Sequence, residues 1–231
     1  MDKKAILACA FVMTVVGTAQ AADSVDLKVT GKLVKGSCAP ALENGGVVDF
    51  GNIPLENLSK TNVNQLGRRN INLTITCDTA IPVAWQAVDN KHTSVQDISV
   101  TNGLYDGSAC FASDNHFGLG KTAGNVNIGD YCVIVNKDAM TVDGVKAVFT
   151  QTNYKVSNGA WSTLSGGDVL NGVNGQWRYI SASEEGSTAP VPGKVFVYPL
   201  VISAAVQGTD TLAVTDNTPL DGSATISLVY L

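Results

Sequence analysis

The sequence predicts an all-β protein, and three observations carry that expectation. Apolar residues recur at every second position rather than at helical spacing. Gly, Asn and Ser interrupt the chain every few residues, as they do in hairpin-rich proteins, and there are 23 glycines in 231 residues. Charged residues make up only 15% of the chain, and Thr and Val are abundant, which suits pleated rather than helical structure.

Taken in order, the chain opens on MDKK and an apolar run from Ala5 to Val16, followed by small residues at Ala19 and Ala21. That is the pattern of an export signal over residues 1–21, with a mature start at Ala22. The run is too short for a membrane anchor. In VDLKVTGKLVKGSC, residues Val25, Leu27, Val29, Gly31 and Leu33 share one face and predict a strand running to Cys38. GGVVDFGNI, residues 45–53, reads as a short strand closed by Gly51, and residues 54–68 as a polar loop. Asn70 to Cys77 alternates again, with Ile71, Leu73 and Ile75 on one side, and IPVAWQAV at 81–88 is a more continuous apolar strand. Residues 110–135 hold two cysteines around a Gly- and Asn-rich turn region; 146–156 and 158–183 are further short β segments. After a loop at 183–193, KVFVYPLVISAAV at 194–206 is the longest apolar strand. The chain ends on ATISLVYL, a strand with Ala224, Ile226, Leu228 and Tyr230 on one face. No helix, fixed-period repeat or dividing linker emerges, so residues 34–231 read as one domain with an enlarged middle at about 100–190.

Of five cysteines, Cys9 lies in the signal, leaving Cys38, Cys77, Cys110 and Cys132. An even number in an exported chain argues for two disulfides, with three pairings open. There is no CxxC, and His92 and His116 lack ligand-like spacing, so no metal is expected. Lys and Arg number 15 against 20 Asp and Glu; with Lys3, Lys4 and Asp2 in the signal, the mature chain has 13 against 19. That acidic balance excludes nucleic acid as an expected partner. No serine sits in a nucleophile elbow, and the histidines of DNKHTS and SDNHFG read as surface-turn residues. Asp106, Asp114, Asp130, Glu184 and Glu185 follow no calcium-loop pattern. Neither catalysis nor a cofactor is expected. Trp161, Trp177 and Tyr179 have core packing as their ordinary reading, although aromatic faces can also stack on sugars.

GKLVKGSC, DFGNI at 49–53, NLTITC ending at Cys77 and the terminal ATISLVYL, in that order behind a signal, resemble chaperone–usher fimbrial subunits, of a larger fimbrial-like branch. The resemblance implies an incomplete immunoglobulin-like β-sandwich of pilin type, lacking its final strand. It implies a Cys38–Cys77 disulfide; Cys110 and Cys132 are the expected second pair. It implies that Ala224, Ile226, Leu228 and Tyr230 line a groove filled first by a periplasmic chaperone and then, in donor-strand exchange, by a neighbouring subunit's extension. Residues 22–33 would be that donor, with Val25, Leu27, Val29 and Leu33 as knobs and Gly31 in a tight pocket. The function implied is a structural subunit of a surface fimbria of a Gram-negative bacterium, handled by an outer-membrane usher and supporting cell adhesion. The alternatives are an adhesive subunit that binds a glycan through Trp161, Trp177 and Tyr179 of the middle segment, and a secreted β-sandwich that never polymerises.

Overall fold

The alternation in the sequence resolves into two antiparallel sheets in the computed structural model, which describes residues 27–32, 36–153, 160–173, 175, 177–214 and 217–231. The strands are β1 (Cys38–Leu42), β2 (Asn64–Ile81), β3 (Val83–Asp89), β4 (Phe117–Gly118), β5 (Gly129–Val135) and β6 (Thr141–Val142). They continue with β7 (Val145–Lys146), β8 (Val148–Thr152), β9 (Tyr179–Ser183), β10 (Gly193–Val206) and β11 (Ala224–Tyr230). One helical turn, α1 (Thr209–Leu212), precedes β11. The first sheet runs β1-β2-β10-β5-β4, with β6 pairing β10 and β7 pairing β6; the second runs β11-β3-β9-β8. The chain is thus an all-β sandwich. Residues Lys35–Leu231 form one compact unit.

Period-two alternation aims one face of each sheet at the other. From the first sheet come Ile71, Leu73 and Ile75 of β2, Val133 and Val135 of β5, and Phe196, Tyr198 and Leu200 of β10. Val83, Trp85 and Ala87 of β3, Ile180 and Ala182 of β9, and Phe149 of β8 meet them from the second. Trp85 and Tyr198 touch edge to face across the gap, with ring centroids 5.6 Å apart, a geometry that adds to their burial. Pro82 sits where the chain leaves β2 for β3; without an N–H it cannot extend the ladder, and the chain changes sheets there.

Several expected elements differ. Residues 27–32 form no strand, and the ladder begins at Cys38, opposite Cys77; Val25 and Leu33 lie outside the described residues. Residues 47–53 are not a strand either, because they have no ladder partner. The expected polar loop at 54–68 gives way to β2 from Asn64 onward. That stretch pairs with β10 out to Asn64–Val206, and backbone pairing there needs no apolar face. Residues 100–190 supply β4 to β9 and are built into both sheets rather than standing apart.

Candidate functional site

Two edges lie open beside each other. β1 ends the first sheet and β11 ends the second, and neither has a further partner among the described residues. Between them the core is only thinly covered: Val48, Phe50, Tyr131 and Ile226 are half-buried, while Trp85 behind them is fully buried. A cavity of about 280 Å³ has Leu42, Val48 and Phe50 on one side and Ala224 and Ile226 on the other, with Trp85 and Tyr131 in its floor. A second, wider cavity of about 870 Å³ shares Val48, Phe50 and Leu220 with it and continues between residues 48–58 and 206–220. Apolar core left open to water costs about 25 cal/mol per Å² of exposed apolar surface, and an unpaired strand edge is a template for another strand.

Both walls are held in place by specific contacts. On one, Val48 and Phe50 are half-buried while Val47 and Asp49 face outward, a strand-like alternation without a ladder. Arg69 of β2 clamps this wall: its guanidinium lies 5.0 Å from the Phe50 ring centre, and its Nε–H donates to the Asp49 carbonyl at 3.1 Å. Gly51, at φ +72°, turns the chain, and its N–H donates to the Asp49 carboxylate at 2.7 Å.

The opposite wall is the start of β11. Lys91 pairs with Asp221, the Asn90 N–H donates to the Ser223 carbonyl at 2.9 Å, and the Asn90 side chain bonds Ser223 Oγ and Thr225 Oγ1. Asp89 lies beneath, buried, accepting N–H bonds from Lys91 (2.8 Å) and Gly118 (2.9 Å); desolvation raises its carboxyl above the ordinary value. Gly222 passes so close to Tyr131 that a Cβ there would sit 2.8 Å from the ring.

The four expected groove residues divide into three kinds. Ala224 and Ile226 line the cavity; Leu228 packs against the core beside it. Tyr230, 46% exposed, reaches across to β1: the Cys38 N–H donates to its hydroxyl at 3.0 Å, and the hydroxyl lies 3.4 Å from the Cys38 carbonyl. Of the expected donor residues within the described chain, Leu27 and Val29 are 90% and 87% exposed, and a Cβ on Gly31 would meet nothing within 4 Å.

The disulfides are Cys38–Cys77, across the β1–β2 ladder, and Cys110–Cys132, which ties the segment after Val100 to β5. Such bonds persist in an oxidising compartment. Beside the second lies the principal correction to the site residues. His116 is not a surface-turn residue but fully buried, with Nδ1 3.2 Å from Asp97 and 3.6 Å from Asp130, and Nε2 3.1 Å from the Cys110 carbonyl. Asp130, also buried, accepts N–H bonds from Gln96 (2.7 Å) and Ile98 (2.8 Å), and desolvation raises its carboxyl. His116 lies with Cys110 and Cys132 inside 4.8 Å, but the two sulfurs are bonded to each other and neither is a thiolate ligand.

Trp161 and Tyr179 are half-buried and Trp177 is 44% exposed, so the core reading fails for all three. The Trp177 indole N–H donates to the Gly172 carbonyl at 2.7 Å. The Gln151–Ser162 bridge brings Trp161 alongside the end of β8, whose Thr152 pairs with Tyr179. Among the described residues, no helix is long and apolar enough to cross a membrane.

The fold and the seam define a class: an antiparallel two-sheet sandwich, disulfide-stapled, left open between its two end strands. Residues 27–132 match a family described as "Protein of unknown function (DUF1120)". The chain is 35% identical to the Escherichia coli K12 "Uncharacterized protein YhcF", with 93% of each chain covered. It is 30% identical to the "Protein GltF" of the same strain, over 96% of this chain and 95% of the other. The chain belongs to this family.

Proposed function

We propose that the protein is a structural subunit of a surface fimbria, polymerised when the N-terminal extension of one copy fills the seam of the next. One observation carries the reading: the sandwich is open along a line bounded by two unpaired strand edges and floored by core side chains. A strand laid there would pair its backbone with β11 and bury alternate apolar side chains over Trp85 and Tyr131, the physics of β-strand addition. The extension has that character, with Leu27 and Val29 at alternate, solvent-exposed positions. A seam of this kind also needs a partner before polymerisation, which is the part a periplasmic chaperone would play ahead of an outer-membrane usher. Thermal unfolding of the mature chain lacking residues 22–33, with and without a peptide of residues 22–35, tests the reading. A rise of many degrees with peptide is expected; a high Tm indifferent to it would leave a closed, self-sufficient sandwich.

A second reading is favoured by the exposure of Trp177 outside the core: an adhesive subunit that stacks a glycan near Trp161, Trp177 and Tyr179. Loss of glycan-array binding on Trp177→Ala, with folding intact, is its expected signature. Binding that survives the substitution would exclude this face.

A further inference from the structure

We infer that Tyr230 is a stop that ends the strand-accepting seam and so fixes the register of whatever strand fills it. The inference rests on the seam reading above and adds a residue that sets its length. Two observations converge. The open cavity is lined on β11 by Ala224 and Ile226 and does not extend to Tyr230. Tyr230 spans from the end strand of one sheet to that of the other, its hydroxyl taking the Cys38 N–H at 3.0 Å and lying 3.4 Å from the Cys38 carbonyl.

A missing strand leaves a gap of two strand spacings, about 9.5 Å. A tyrosine side chain with a hydrogen bond at its tip can bridge such a gap; a leucine cannot. The ring then occupies the place where the incoming strand would continue, and the hydroxyl holds the Cys38 N–H that such a strand would otherwise satisfy. At the other end the two cavities share Val48, Phe50 and Leu220 in their walls, so the seam is closed at the Tyr230 end and continues at the far one. A strand therefore slides in until it meets the ring, and its apolar side chains fall opposite fixed positions of β11. This matters because a one-residue slip in a strand sends every side chain to the wrong face.

The test uses the full mature chain at high dilution and fluorescent peptides of residues 22–33, each lengthened by three strand-forming residues at the N-terminal or the C-terminal end. In wild type, neither extension should improve affinity by more than about twofold. In Tyr230→Ala, one of the two should improve it about tenfold, with a smaller gain in the same direction for Tyr230→Phe, which keeps the ring but loses its anchor; the Phe variant also carries the test if the Ala variant fails to fold. Equal gains in wild type and variants, or no gain in any of them, would overturn the stop while leaving the seam reading in place. Failure of every peptide to bind every variant would remove the seam reading, and the stop with it.

Discussion

Gly222 shows how much a single position contributes to the open seam. A side chain there would meet the Tyr131 ring at 2.8 Å, and Tyr131 is itself stacked on Phe117 at 5.1 Å, leaving little room to yield. Gly222→Val should cost about 1–3 kcal/mol in urea unfolding, as overpacking does; an unchanged midpoint would mean the wall gives way freely. Cys38 acts differently, through the unfolded chain and the start of β1, and replacing Cys38 and Cys77 together by Ser should cost about 2–5 kcal/mol. Asp89 adds a dependence on pH. Burial holds its carboxyl above 3.8, so near that value the folded chain keeps a proton that the unfolded chain has released. The group's contribution to stability is therefore greatest below 3.8 and falls as pH rises through the folded value. Asn at this position cannot titrate. The stability of wild type relative to Asp89→Asn should thus drop as pH rises from about 4 through the raised value of the folded carboxyl, and a rise over that window would contradict the assignment.

Strands with both a pattern and a partner are legible in the sequence. β3, β10 and β11 follow the apolar runs at 81–88, 194–206 and 224–231 closely, since each buries a face and pairs within the chain. Alternation reports a face, not a ladder. Residues 47–53 alternate, with Val48 and Phe50 turned inward, yet remain unpaired; residues 27–32 lie exposed without a strand. Asn64 to Arg69 are the reverse case, polar in sequence but paired with β10, because the ladder uses backbone groups alone. The unpaired segment at 47–53 is the more informative departure, since its inward residues form one wall of the seam. Val48→Ser with Phe50→Ser should lower affinity for a peptide of residues 22–35 at least tenfold while leaving the far-UV circular dichroism unchanged. Undiminished affinity would place the peptide elsewhere.

Across the molecule, the residues least legible in sequence are those whose surroundings are assembled from distant segments. His116 sits in a polar, turn-like SDNHFG, yet Asp97, Asp130 and the Cys110–Cys132 disulfide enclose it. The seam is of the same kind: residues 42–50, 69, 85, 131 and 220–230 meet only once both sheets have formed. Its apolar walls belong to the common core, which extends from β2 and β10 through Trp85 to Ile226 and Leu228. A strand that fills the seam therefore completes the core as well as the edge, and its effect is felt by the whole sandwich rather than by β11 alone. Hydrogen exchange along β11 of the mature chain, with and without a peptide of residues 22–35, tests that claim most directly. The account predicts that amides between Ala224 and Val229 on the edge away from β3 exchange fast in the free chain and become strongly protected with the peptide. Amides already protected in the free chain, or unaltered by saturating peptide, would contradict it.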